Sequence, residues 1–148
     1  MIDRIEFEGQ LLALIVSHRY QKPGVSFFTT GDLSQQLAFF RYPAGHSIDS
    51  HVHNPVQREV HRTQETLFVR RGKIRVDFYT NDRRYLESRI LEAGDALLLI
   101  QGGHGFEVLE ELEMFEVKQG PYAGDHDKTR FEGRPEALNY GADKEGQP

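Results

Sequence analysis

The chain has 148 residues, no cysteine, and 18 basic against 23 acidic side chains, for a formal charge of −5. That length suits one domain with its own core, and the absence of cysteine excludes disulfides and thiolate-held metal. Scattered basic residues and a negative balance speak against a nucleic-acid partner, which concentrates positive charge, and no apolar run approaches the ~18 residues of a membrane span.

The N-terminal stretch MIDRIEFEGQ is acidic where a signal peptide starts basic and then turns apolar. A soluble, cytoplasmic protein with no membrane partner is therefore expected. Short apolar or alternating runs follow, each closed by turn residues. LLALIVSHRY precedes QKPG, VSFFTT precedes GD, and QQLAFFRY precedes PAG. TLFVRRG and KIRVDFYT come next, then RYLESRIL before EAGD, ALLLI before QGG, and LEMFEVKQ before GPYAG. Many short strands at this spacing indicate an all-β sandwich or barrel. In KIRVDFYT the apolar Ile74, Val76 and Phe78 alternate with Lys73, Arg75 and Asp77, which predicts one buried and one wet face. No long 3.6-residue period appears, so helix is expected to be minor. LLALIVSHRY reads as an apolar edge strand that needs covering. From about Arg130 the pattern is lost. The predicted domain spans residues 1–130, and 131–148 is a polar tail, either mobile or an arm that reaches a partner subunit.

Four of the seven histidines fall between Gly45 and Gly72. If SIDSHVH is extended, His51 and His53 at i and i+2 share one face, and each neutral imidazole can offer a lone pair to a metal. Glu65 opens the next strand, and His104 follows the apolar run ALLLI. Three imidazoles and one carboxylate suit a divalent first-row metal. A histidine pair at this spacing is, by itself, more often solvent-exposed or hydrogen-bonded than metal-bound. What raises the metal reading is order: Gly before the pair, an acid before a strand that ends in Gly, then Gly-Asp, an apolar strand and His104.

In these features the chain resembles the cupin family of small RmlC-like jelly-roll proteins. Gly45, His51, His53, Glu65 and Gly72 match the family's first motif, with the Gly-to-His and Glu-to-Gly spacings kept. Gly94 and His104 match the second with one residue fewer between them, while Ile100 stands where Pro is usual and Val108 where Asn is common. The resemblance covers about residues 36–118. It departs from the pattern in the gap between His53 and Glu65, enlarged by the insertion NPVQREVHRTQ. It implies a double-stranded β-helix, the cupin jelly-roll barrel, with His51, His53, Glu65 and His104 holding one divalent ion (Fe, Mn, Ni or Zn) in the barrel mouth. It also implies a homodimer.

Within the insertion, His61 is an alternative ligand that replaces or supplements Glu65, or else a solvated loop residue. Arg58 there and Arg41 on the preceding strand are candidate rim residues for a polar substrate. Lys118 shares a strand face with Glu116; facing inward it is a candidate acid, base or anion binder, and facing outward an ordinary solvated charge. Tyr122, Asp125, His126, Lys128 and Arg130 lie in the turn-rich GPYAGDHDKTRF, read as capping the barrel edge or folding over its mouth. The expected function is metal-dependent chemistry on a small polar metabolite, a carbohydrate derivative among the options. The reaction class stays open between dioxygenase, isomerase and lyase. The alternatives are a non-catalytic sugar or small-molecule binding module, and a metal-independent isomerase or epimerase with a histidine base.

Overall fold

A computed structural model describes residues 1–133. The chain is nearly all β, with one short 3-10 turn at Gly124–Asp127 as the helical exception among the described residues. β1 (Ile2–Phe7) and β2 (Gln10–Val16) form a hairpin. Its two-residue turn places Glu8 and Gly9 at positive φ, as tight hairpin turns require. β3 (Gly24–Phe27) and β4 (Ala38–Arg41) make a separate two-stranded sheet. β5 (Glu65–Tyr79), β6 (Tyr85–Glu92), β7 (Ala96–Leu99) and β8 (Gly103–Lys118) complete the main antiparallel sheet, ordered β1-β2-β7-β5-β6 with β8 on the other edge of β5.

The two continuous apolar runs pair with each other. Ala13–Val16 of β2 lie opposite Leu99–Ala96 of β7, and both strands are buried on both faces. One face joins the main core with Leu67, Val69, Ile74, Val76 and Phe78. The other is covered by Tyr20, Phe28, Leu33 and Leu37 from the segment around β3. Two-sided burial is why these strands read as unbroken apolar runs. It also revises the edge-strand expectation for LLALIVSHRY: β2 is interior, and β1 takes the edge.

TLFVRRG and KIRVDFYT, which read as two strands, are one. Leu67 and Val69 face the core before the junction, and Ile74, Val76 and Phe78 face the same core after it. Odd positions give way to even ones because the β5–β8 register shifts between Val69 and Ile74, as at a β-bulge. Gly72 sits there at φ +84°, where an added Cβ would lie 2.0 Å from the Glu111 carbonyl oxygen. Only glycine fits both that dihedral and that approach.

The bulge permits a sharp curl. β7 ends at Leu99 opposite Glu65, and β8 begins at Gly103 opposite Tyr79. Four residue steps reach at most about 14 Å, whereas a straight β5 would separate Glu65 from Tyr79 by about 46 Å. β5 therefore bends round until its ends approach each other, and the sheet becomes a half-barrel. Charges reinforce the register of its outer ribbon: Lys73 pairs with Glu110 at 2.8 Å and Arg71 with Glu111 at 3.2 Å. Exposed pairs of this kind contribute little stability each.

The predicted wet face of KIRVDFYT is wet only at Lys73. Arg75 and Asp77 are 4% and 6% exposed. Arg75 Nε donates to Asp77 Oδ1 at 2.9 Å, Arg75 Nη2 meets Glu107 at 2.5 Å, and the Ser88 hydroxyl donates to Asp77 at 2.5 Å. Lying between β6 and β8, this part of β5 has neighbours on both sides, and the polar residues there are buried as a connected network.

Candidate functional site

The curl brings the two ends of β8 to one place. Glu65, the first residue of β5, has the parity of Leu67 and Val69 and so points into the half-barrel, beyond the last layer of core. Lys118 is its direct cross-strand partner, with Nζ 3.5 Å from Oε1. His104 arrives from the opposite end of β8, and its Nε2 lies 3.3 Å from Glu65 Oε2. His104 thus belongs to β8 rather than ending the ALLLI strand. Gly102 makes that entry possible: at φ +82° it passes the Tyr79 carbonyl so closely that a Cβ would lie 2.5 Å away.

A second carboxylate joins from the 3-10 turn. Lys118 Nζ is 2.6 Å from Asp127 Oδ2, and the Thr63 hydroxyl donates to Asp127 Oδ1 at 2.5 Å. The result is a chain His104–Glu65–Lys118–Asp127–Thr63. The hydrogen bond from His104 holds the Glu65 carboxyl below its usual range despite burial, with the Lys118 charge adding to the effect. The hydrogen bond to Asp127 raises Lys118. Lys118, then Thr63, lowers Asp127. Hydrogen bonds that favour the charged form act in this direction on both signs of charge.

These groups lie along a cleft of about 650 Å³. Tyr79, Phe106 and Phe131 supply apolar wall, while Gln101, Lys128 and Arg130 add polar and cationic groups. The Tyr79 and Phe131 rings meet edge to face at 5.1 Å. GPYAGDHDKTRF therefore folds over the half-barrel mouth, the second of the two sequence readings. Lys118 and Glu116 line the cleft and so face inward. Of the predicted tail, residues 134–148 lie outside the described part, but Phe131 and Gly133 pack on Tyr79.

The other candidates lie elsewhere. No strand forms over SIDSHVH, and residues 42–63 are exposed throughout. His51 and His53 stand beside each other with ring centroids 5.2 Å apart, and His51 Nδ1 bonds the Asp49 carbonyl at 2.9 Å. His61 faces Glu59 at 3.6 Å on the same segment, where Arg58 reaches the Val56 carbonyl. Arg41 donates to the Gln21 carbonyl at 2.6 Å, and Tyr122 is 84% exposed. The four expected ligands thus form two pairs, Glu65 with His104 and His51 with His53. Among the described residues no three His, Asp or Glu side chains are grouped to hold a metal ion, so one chain in this arrangement does not fit the four-ligand site. Asp127 and Thr63 were not singled out from sequence. Nothing local marks them, because their role depends on the fold-over of the last segment.

No family model, curated protein or solved structure matches the chain. No helix among the described residues is long and apolar enough to cross a membrane.

Proposed function

We propose that the chain is a cytoplasmic small-molecule enzyme of cupin type, working in this cleft on a polar, ring-bearing metabolite such as a carbohydrate derivative, with His104 as the proton-transfer group. The observation that carries the proposal is the 3.3 Å approach of Glu65 to His104 beside the cleft. A carboxylate that accepts from one ring nitrogen orients the imidazole and leaves the other nitrogen to act as base. Lys118, kept cationic by Asp127 and Glu65, offsets negative charge that develops nearby. Removal of a proton from carbon beside a carbonyl gives an enolate and a protonated His104. Where the deprotonated carbon carries a hydroxyl, return of that proton to the former carbonyl carbon, with the hydroxyl proton passing to the former carbonyl oxygen, completes an isomerisation. Protonation of the original carbon by water from its opposite face, with His104 releasing its proton to solvent, completes an epimerisation. Apolar walls with a few convergent polar groups suit such a ligand. The curled half-barrel supports the jelly-roll resemblance.

A second reading keeps the divalent metal of the resemblance. It is favoured by the survival of both imidazole-bearing pairs, although one chain holds them apart.

Proton NMR in D₂O with a panel of aldose and ketose phosphates tests the proposal. Deuterium should enter the carbon beside the carbonyl, at least about 100-fold more slowly in His104→Gln, and a chelator should leave the rate unchanged. Exchange abolished by chelator supports the metal reading. Saturable binding without exchange supports a binding module, and neither binding nor exchange overturns the proposal.

A further inference from the structure

Among the described residues, two parts of the chain lack a partner in one copy. The first is the segment between β4 and β5. Every residue from 42 to 63 is exposed, including Ile48, Val52, Val56 and Val60 at 61%, 86%, 61% and 42%. Its ends are pinned: Arg41 closes the β3–β4 ladder opposite Gly24, and the Gln64 carbonyl accepts from the Gln119 amide at 2.8 Å. The polar contacts of 47–61 are local, as with His51 to Asp49 and His61 to Glu59. Among the described residues no hydrogen bond or ion pair joins 42–61 to β8. A segment with few backbone pairs and exposed branched side chains gains stability by pairing with a strand edge.

The second part is β8. It runs for 16 residues and, among the described residues, pairs with β5 alone. Phe106, Val108, Phe115 and Val117 on it are 41–62% exposed. A long edge that exposes these apolar residues among its five glutamates can still accept an added strand through its backbone. The chemistry of the two parts is complementary. β8 carries His104 and Lys118 into the cleft beside Glu65, while the segment carries an imidazole pair at the spacing that puts both rings on one side of a strand.

We infer that residues 46–61 of one copy add as a strand to the free edge of β8 in a second copy, delivering His51 and His53 to that copy's Glu65 and His104. Two-fold exchange covers both segments and both edges at once, as isologous association requires. Pro55, which lacks an N–H, sits acceptably on the outer edge of such a strand. The metal part of the inference rests on the second reading above; the arm exchange does not. The four-ligand set is then complete only between copies.

The absence of cysteine makes the arm directly traceable. His53→Cys and His104→Cys single variants, mixed, refolded together and oxidised with diamide, should give a covalent dimer of unlike chains. A His53→Cys/His104→Cys chain that instead closes on itself as a monomer, or no cross-link in either case, overturns the exchange. Nickel content after dialysis reads the ligand role. Wild type should hold one ion per chain, and His51→Ala/His53→Ala or Glu65→Ala/His104→Ala alone close to none. A random mixture of these two double variants should recover about a quarter of the wild-type content, because half the dimers pair unlike chains and each keeps one intact site. Cross-linking without nickel in wild type retains the exchange and overturns the metal reading. Nickel in wild type without recovery in the mixture overturns delivery in trans.

Discussion

Gly72→Ala is expected to be among the most destabilising single-methyl additions in the chain, because the curl of β5 passes through that residue. At φ +84° an L-residue costs about 1–2 kcal/mol. The new Cβ would also lie 2.0 Å from the Glu111 carbonyl oxygen and 3.0 Å from that of Glu110. Both are backbone atoms of the paired strand, so relief requires β8 to move rather than a side chain to turn. Overpacking of this kind adds about 1–3 kcal/mol, for a total near 3–4 kcal/mol. Two controls separate the parts. Gly9→Ala, at φ +74° with open space around it, isolates the dihedral cost of about 1–2 kcal/mol. Gly31→Ala has neither problem and should be within about 0.5 kcal/mol of wild type. Urea unfolding at equilibrium gives all three values. In the Gly72 variant, the NMR signals of His104 should shift too, since the curl sets its distance to Glu65. A Gly72→Ala loss no larger than that of Gly9→Ala would refute the close approach, and with it the account of how the cleft is built.

The ion chain sets a pH window at the acid end. Glu65 and Asp127 have lowered folded-state pKa values, so their contribution is present above their ordinary values of 4.5 and 3.8 and is lost as pH falls through the lower folded ones. Lys118 has a raised value, so its contribution is present below 10.5 and lost only as pH rises through the higher folded value. Amide exchange across residues 119–133 should therefore speed up as pH drops below about 4 relative to the intrinsic rate, and Asp127→Asn should show that faster exchange already at neutral pH. Asp77→Ala should destabilise by about 1–3 kcal/mol, since it leaves buried Arg75 with Glu107 as its remaining anion and takes an acceptor from the Ser88 hydroxyl. Arg75→Met/Asp77→Leu should cost clearly less in the same urea assay, because no charge is then left buried. Leu97→Ala, at a fully buried position where β7 meets the core, should cost about 2–5 kcal/mol.

Much of the architecture was legible in short-range pattern. LLALIV and ALLLI read as strands because unbroken apolar runs bounded by turns have few other uses, and they do pair. The junction VRRGK was harder. Its apolar parity changes from odd to even, which is the mark of a bulge, but the turn-like Arg-Arg-Gly read as a break between two strands. Glu65 and His104 were named as members of one site, and they do meet. His51 and His53 were named with them on order alone, and order along a chain does not say which side of a sheet, or which copy, a long insertion will reach. Asp127 is an instance of the same limit: it lies in an unremarkable sequence, and its contact with Lys118 exists because the last described segment returns across the cleft.

Side-chain chemistry and period by themselves determined that this chain is a β protein with no thiol chemistry, where most of the strands lie, and several of the imidazoles and carboxylates worth watching. These are local properties, carried by alternation, turn residues and charge within about ten positions. Tertiary structure alone decided that β5 bends at Gly72 until Glu65, His104 and Lys118 converge, that Arg75 and Asp77 are buried together, and that Asp127 closes the group. Those outcomes come from sheet curl and from contacts between residues dozens of positions apart. Such contacts depend on how much each strand is covered on both faces, a quantity that no window of sequence contains.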